Sequence, residues 1–215
     1  MKLVYLMRHA KAVQNPELAD FDRHLVDRGK RDAAKMAKRM CDAEQGVHAI
    51  ISSPAVRALE TARIMAKVLG YPEESIIEYL PIYDSATDDD FLGTLQSLDD
   101  EISSVLICGH NPGINDFAEL LAVEFGDWMP TSALIGIAVP IDSWKEIECG
   151  LGTALYYDFP KRDKKVVKDL QTDLSSAVEG VVQKLFPKEA KKQRKAIEKE
   201  CRKTAKQLVK RWNLV

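Results

Sequence analysis

Three short apolar segments, each followed by a polar turn and a helical pattern, limit what this chain can fold into. The apolar segments cover residues 3–7, 47–52 and 104–108, and the helical patterns cover 30–43, 55–69 and 114–122. Strands that alternate with helices form a parallel sheet whose faces the helices cover. We therefore predict an α/β fold, a three-layer α/β/α sandwich with a mostly parallel central sheet.

Local signals indicate where these elements begin and how the sheet continues. Asp27 is a candidate N-cap of the first helix, and Ser53 followed by Pro54 fits the cap and first position of the second. Two later apolar segments, 133–141 and 153–159, are separated by a polar connection. They predict a pair of strands that extends the sheet.

The charge of the chain divides at Pro160. Residues 1–160 carry 26 acidic and 14 basic side chains, a net charge of −12, whereas residues 161–215 carry 7 acidic and 17 basic side chains, a net charge of +10. Apolar residues recur at helical spacing in the second segment, and Pro187 separates two predicted helices there. We predict an α/β domain over 1–160 and a basic C-terminal helical extension over 161–215.

The N-terminal segment and the cysteines indicate the cellular compartment. The first apolar run becomes charged at Arg8, so it is too short for a signal peptide or a membrane span. The four cysteines are scattered without a Cys-x-x-Cys pair, which argues against a zinc site and against a disulfide framework. We expect a cytoplasmic protein with reduced thiols and no membrane partner.

Polar residues with catalytic potential follow the three apolar segments. Arg8 and His9 follow the first, Arg57 lies in the first turn of the helix after the second, and His110 follows the third. Because the carboxyl ends of parallel strands meet at one edge of a sheet, we expect these side chains to share a crevice. Guanidinium groups and helix N-termini bind phosphate oxygens, and a neutral imidazole attacks phosphorus. The pattern predicts a phosphoryl-transfer site.

This arrangement supplies its own cations. His9 is the predicted nucleophile, and Arg8, Arg57 and a protonated His110 are expected to hold the charge of the transition state. Water would then hydrolyse the phosphohistidine. The predicted chemistry needs no metal ion and no cofactor.

Longer blocks around these residues resemble a known family. They are Leu-Met-Arg-His-Ala at 6–10, Arg-His-Leu-Val-Asp-Arg-Gly at 23–29, Ser-Ser-Pro-Ala-Val-Arg-Ala-Leu-Glu-Thr-Ala at 52–62, Cys-Gly-His-Asn-Pro at 108–112 and Thr-Ser-Ala at 131–133. In this order they resemble the histidine phosphatase (phosphoglycerate mutase-like) superfamily, in particular its SixA-like branch of phosphohistidine phosphatases. The resemblance covers residues 2–159, and Ala10 stands where the family usually has glycine.

The resemblance implies a role for each site residue. His9 would be the covalent nucleophile, and Arg8, Arg57 and His110 would bind the phosphate, which makes 1–160 a histidine phosphatase catalytic domain. Asn15 falls where mutase-like members often carry a phosphate-side asparagine. The Asn-Pro pair at 15–16 is equally typical of a plain turn, so both interpretations stay open.

The sequence indicates less clearly which residue protonates the leaving group. Asn111 follows the second histidine, where acid phosphatases of the superfamily carry a His-Asp pair, and Asp84 lies in the stretch from which mutase-type members supply a carboxylate. An imidazole leaving group, with a reference pKa of ~6.5, needs an acid less than an alkoxide does. We therefore predict that the substrate is a protein phosphohistidine, as in a histidine phosphotransfer domain. A small phosphorylated metabolite, hydrolysed or isomerised, is the alternative.

The basic tail allows three interpretations. Residues 188–211 carry 11 basic and 3 acidic side chains. If the pocket only held phosphate, this tail would make the protein a polyanion-binding module. No aromatic residues interrupt the charge, so we favour an amphipathic helical hairpin with solvated lysines and expect no nucleic-acid partner. The third interpretation is a homodimer formed through the C-terminal helices.

Overall fold

The chain consists of two compact units, Met1–Pro160 and Lys161–Val215. The computed structural model describes residues 1–43, 46–83, 86–185, 196, 199–201 and 203–207. The first unit holds the sheet and all the predicted site residues, and it is described below.

A six-stranded mixed sheet forms the centre of the first unit. Its strands are β1 (Lys2–Arg8), β2 (Ala49–Ser52), β3 (Ile77–Glu78), β4 (Ser104–Gly109), β5 (Leu134–Val139) and β6 (Thr153–Asp158). They lie in the order β3-β2-β4-β1-β5-β6, and β5 runs antiparallel to both of its neighbours while the other strands share one direction. The mostly parallel sheet and the pairing of the last two strands are confirmed.

Helices cover both faces of this sheet. They are α1 (Asp27–Asp42), α2 (Val56–Leu69), α3 (Asp88–Gln96) and α4 (Gly113–Leu121). Because side chains alternate along a strand, Tyr5 of β1 packs in a cluster with Met36 of α1 and Met65 of α2. Its neighbour Leu6 packs in a second cluster with Phe91 of α3 and Phe117 of α4. The three-layer sandwich is confirmed.

Two predicted helix caps are wrong. Helix α1 begins at Asp27, with Val26 at the N-cap, so Asp27 lies inside the first turn, where a carboxylate suits the helix dipole. Helix α2 has Ala55 at its N-cap and no side-chain cap. Ser53 lies two residues before this N-cap; its hydroxyl oxygen accepts from the amide of Ala55 at 3.3 Å and lies 2.8 Å from Nε2 of His110.

The second unit contains α5 (Arg162–Leu185). Pro187 and most of the basic segment 188–211 lie outside the described residues. In the part of the chain that the structure describes, no helix is both long and apolar enough to cross a membrane. All four cysteines are free thiols.

Candidate active site

A cavity of about 540 Å³ lies at the edge of the sheet where β1, β2 and β4 end. The four residues predicted to meet there, Arg8, His9, Arg57 and His110, all line it. The parallel register explains this convergence, because β1 pairs with β4 up to Arg8 and Gly109, and β4 pairs with β2 up to Ser52. Each strand therefore delivers its following loop to the same place.

His9 presents an unprotonated nitrogen to this cavity, and that nitrogen accepts a hydrogen bond from Arg57. Its Nδ1 atom lies 2.8 Å from the carbonyl oxygen of Ala10, and since a carbonyl only accepts, Nδ1 carries the proton. The Nε2 atom then keeps its lone pair and lies 3.3 Å from Nε of Arg57. Burial lowers the pKa of His9 to about 4, and the positive charges of Arg57, Arg8 and Arg23 act in the same direction against the hydrogen bond to Ala10. At neutral pH the ring is an uncharged nucleophile.

The backbone of the turn after β1 is held from two sides. The amide of His9 donates to the carbonyl of Gly109, 2.9 Å away, and the amide of Ala10 donates to Oγ1 of Thr61, 3.0 Å away. Ala10 is fully buried. Among the described non-glycine residues only Ser132 has a positive φ, so the backbone at position 10 does not require glycine.

Arg8 is anchored to the loop before β5. Its Nη1 atom donates to the carbonyl of Met129, 2.9 Å away, and the side-chain amide of Asn111 donates to the same oxygen at 3.1 Å. The amide nitrogen of Met129 donates to Oδ1 of Asn115 in α4, 2.8 Å away. The exposed ring of Trp128 lies 6.0 Å from the guanidinium carbon of Arg8. Two asparagines of the segment after β4 therefore fix the loop that orients Arg8.

His110 is neutral in the free protein. Burial is the main cause that lowers the pKa of His110, to about 2. The charge of His9, once His9 is protonated in acid, and the charge of Arg57 lower it further, while Asp20 acts in the opposite direction. The Nε2 atom of His110 lies 2.8 Å from Oγ of Ser53, and its ring meets that of Tyr83 edge-on at 5.5 Å. Burial and the charge of Arg57 therefore oppose the protonation of His110 that is expected when a phosphoryl group is bound. A neutral imidazole still donates one N–H.

Asp20 contacts Arg57 directly, and Arg23 and Tyr83 contact Asp20. Nη2 of Arg57 donates to Oδ2 of Asp20 at 2.8 Å, and Nη1 donates to the backbone carbonyl of Asp20. Arg23 donates to Oδ1 of Asp20 at 2.5 Å, and the Tyr83 hydroxyl donates to Oδ2 at 3.1 Å. Asp20, Arg23 and Tyr83 all line the cavity. The pocket thus contains three arginines and one carboxylate that pairs with two of them.

Comparison with known proteins shows which family part of the chain resembles. The histidine phosphatase superfamily (branch 1) matches residues 4–78, which include Arg8, His9 and Arg57. This segment therefore resembles the histidine phosphatase superfamily around three of the predicted site residues. An uncharacterised protein of Mycobacterium tuberculosis is 25% identical over 174 residues, which cover 72% of this chain and all of that protein.

Solved structures of histidine phosphatases share the fold of this chain. The protein histidine phosphatase SixA, solved with tungstate, is 22% identical with a TM-score of 0.65, and the match covers 74% of this chain and 98% of SixA. SixA from Agrobacterium tumefaciens is 25% identical with a TM-score of 0.62, over 73% of this chain and 97% of that one. Both likenesses extend well beyond the segment that the family match covers.

The structure explains two residues of the sequence blocks that resemble histidine phosphatases, Gly29 and Glu60. A Cβ atom on Gly29 would collide with the backbone of Lys11, so glycine lets α1 approach the segment after the nucleophile. Glu60, where the family often has glutamine, accepts from the amide of Leu25 at 2.7 Å and pairs with His24 at 2.9 Å. These contacts join the loop at 23–29 to helix α2.

The remaining predicted site residues are Asn15 and Asp84. Asn15 is exposed and is absent from the described residues that line the cavity. Its Oδ1 atom accepts from the amide of Glu17 at 3.0 Å, which fits the plain-turn interpretation. Asp84, the predicted acid, lies outside the described residues.

Sequence reasoning missed Asp20, Arg23 and Tyr83. Each lies in a loop, where no periodicity marks a functional face. Arg23 begins the quoted block at 23–29, and its charge in that block was the one available signal. Asp20 and Tyr83 carry no local signal, since only the fold brings them to Arg57.

Proposed function

We propose that this protein is a histidine phosphatase that hydrolyses protein phosphohistidine through a covalent intermediate on His9. The observation that carries the proposal is the state of the His9 ring. Its Nδ1 atom donates to the Ala10 carbonyl, and its unprotonated Nε2 atom accepts from Nε of Arg57 at the cavity that Arg8 and Arg57 line. Such a site is organised for attack on phosphorus and for binding the phosphoryl oxygens.

The reaction has two displacements. Nε2 of His9 bonds to phosphorus while the bond from phosphorus to the substrate's imidazole nitrogen breaks, and that nitrogen keeps the electron pair and takes a proton. A water oxygen then attacks the phosphorus of phospho-His9, which releases orthophosphate and restores the neutral ring. Arg8, Arg57 and the N–H of His110 stabilise the charge on the phosphoryl oxygens in both steps.

The choice of a phosphohistidine substrate rests on the leaving group. The described residues that line the cavity include two carboxylates, Asp20 and Asp116. Burial alone would raise the pKa of Asp20, but hydrogen bonds from Arg57, Tyr83 and Arg23 lower it, so Asp20 stays ionised and is a poor acid. Asp116 is exposed at the rim. The described lining residues thus equip the pocket to attack phosphorus but not to protonate an alkoxide, and this favours a substrate with a labile P–N bond.

The likeness to SixA from Agrobacterium tumefaciens, a phosphohistidine phosphatase by name, supports the same choice. A phosphorylated protein, such as a histidine phosphotransfer domain, is then the proposed partner. A small phosphorylated metabolite is the second candidate, because a cavity of about 540 Å³ is within the size range of small-molecule sites.

The test compares three phosphoryl donors with the full chain and no added metal. They are a histidine-phosphorylated protein prepared with phosphoramidate, p-nitrophenyl phosphate and glycerol phosphate. We expect kcat/KM to fall in this order and all turnover to vanish in His9→Ala. His48→Ala removes an exposed histidine at the other end of β2 and should retain activity. Faster turnover of glycerol phosphate than of the phosphoprotein would favour the small-molecule function.

A further inference from the structure

Asp20 is an acidic residue inside a pocket that binds an anion. It lies in the 3₁₀ turn Asp20–Asp22, on the loop between β1 and α1, and its side chain is 56% exposed. A carboxylate beside a phosphoryl group is unfavourable by charge alone. Its presence on the cavity wall therefore needs a reason.

The contacts of Asp20 define which edge of Arg57 remains available. A guanidinium group is a planar fork with five N–H donors. Asp20 occupies the Nη1–Nη2 edge, with its backbone carbonyl on Nη1 and Oδ2 on Nη2 at 2.8 Å. The other edge carries Nε, which lies 3.3 Å from Nε2 of His9. One N–H on Nη2 and the N–H on Nε thus point toward the nucleophile's side of the pocket.

Asp20 is itself held in place. Arg23 donates to Oδ1 at 2.5 Å, and the Tyr83 hydroxyl donates to Oδ2 at 3.1 Å. The Arg57 side chain is only 6% exposed, so water cannot replace these contacts easily. A buried guanidinium needs an anionic partner when no phosphate is bound, and Asp20 is that partner.

We propose that Asp20 is the positioning residue of Arg57. It binds the Nη1–Nη2 edge of the guanidinium group, so that the Nε–Nη2 edge faces the phosphoryl oxygens beside His9. This role rests on phosphoryl transfer in the pocket but not on which phosphoryl donor is used. The contrasting possibility is that Asp20 competes with the phosphoryl group for Arg57 and must leave before substrate binds. The two roles predict opposite effects on anion affinity. Removal of a competing carboxylate would strengthen anion binding, whereas removal of a positioning carboxylate weakens it.

Three variants of the full chain separate these outcomes. Asp20→Ala removes the carboxylate that binds Arg57, and Asp20→Asn keeps an oxygen that accepts from Nη2 of Arg57. Asp22→Ala is the control, because it removes an exposed carboxylate from the same turn. The measurements are kcat and KM on p-nitrophenyl phosphate and the Kd of tungstate by calorimetry, with the thermal midpoint as a check of folding.

We expect Asp20→Ala to lower kcat about 10- to 100-fold, as a misplaced catalytic group does, and to weaken tungstate binding. Asp20→Asn should recover most of both, and Asp22→Ala should match the wild type. Tighter tungstate binding with unchanged kcat in Asp20→Ala would overturn the proposal in favour of competition. Lower stability with normal kcat and Kd would reduce Asp20 to a structural role. If phosphohistidine proves not to be a substrate, the aryl phosphate and tungstate measurements still decide the question.

Discussion

The amide nitrogen of Ala10 lies 3.0 Å from Oγ1 of Thr61, and this contact ties the turn that carries His9 to helix α2. The Thr61 hydroxyl donates to the carbonyl of Arg57, 2.7 Å away, so its oxygen is free to accept from Ala10. Both groups are buried. One hydroxyl therefore joins the backbone of the nucleophile to the helix that supplies Arg57.

Thr61→Val removes this acceptor while it keeps the shape of the side chain. The buried amide of Ala10 then lacks a partner, which should cost about 1–3 kcal/mol of unfolding free energy. We also expect a lower kcat, because the turn is free to shift. Thr61→Ser retains the hydroxyl and should behave like the wild type in urea denaturation and in turnover. Equal stability and kcat in the two variants would show that the contact does not hold the turn.

The charge state of His9 is open to direct measurement. Its pKa of about 4 keeps the ring neutral at pH 5, where an ordinary histidine, with a pKa of ~6.5, is protonated. The ring nitrogens of His9, assigned by their loss in His9→Gln, should therefore show the neutral form by NMR down to pH 5. Titration of His9 near pH 6.5 would contradict the buried, cation-flanked environment described above.

The lowered pKa of His110 links stability to pH. The unfolded chain takes up a proton on this histidine as the pH falls through ~6.5, whereas the folded chain does so only near 2. The neutral ring therefore contributes stability that is complete above pH 6.5 and is lost progressively below it. We expect the drop in unfolding free energy between pH 7 and pH 5 to be smaller in His110→Gln than in the wild type. An identical drop would mean that His110 is not buried as a neutral ring.

The sequence alone predicts the sheet and the four principal site residues for one physical reason. Buried strands of a parallel sheet read as continuous apolar runs, and the residues that follow them must converge. Arg8, His9 and His110 follow such runs directly, and Arg57 is one turn away. Their meeting point depends only on strand direction, which the alternation of strands and helices already indicates.

What the sequence does not reveal depends on contacts made across the fold. Asp20 and Tyr83 lie in separate loops, and only the packing of those loops brings both to Arg57. Burial and neighbouring cations, which the sequence does not show, lower the pKa of His110. The cap predicted at Ser53 is wrong because helix α2 begins three residues later, at Val56, and the Ser53 hydroxyl also contacts His110.

Gly29 and Gly93 form a contrasting pair for testing the packing of the first helix. A Cβ atom on Gly29 would overlap the carbonyl oxygen of Lys11, which already accepts from the amide of Val26 at 3.0 Å. Gly93 is exposed in α3 and has nothing within 4 Å of an added Cβ. Gly29→Ala should therefore lose about 1–3 kcal/mol by overpacking. Gly93→Ala should gain up to about 1 kcal/mol from helix propensity. Urea denaturation of both variants checks the contrast, and a neutral Gly29→Ala would show that the helix moves away freely.

Ser132 combines a strained backbone with a contact to the nucleophile's turn. Its φ of 62° is left-handed, and its amide lies 3.2 Å from the carbonyl oxygens of both Arg8 and His9. The side chain is fully buried, and its hydroxyl has no hydrogen-bond partner among the described residues. Among the described residues, Ser132 therefore contacts the nucleophile's turn through its amide and not through its hydroxyl.

Substitutions at Ser132 should separate the backbone from the hydroxyl. Ser132→Ala removes an unpaired buried group and should keep full turnover with a gain of about 1 kcal/mol in unfolding free energy. Ser132→Val places a β-branched side chain at a left-handed position, where it is strongly disfavoured, and should lose both stability and kcat. Turnover of p-nitrophenyl phosphate and urea denaturation measure the two effects. A loss of kcat in Ser132→Ala with normal stability would instead assign the hydroxyl a part in catalysis, because the alanine leaves the strained backbone and its amide contacts unchanged.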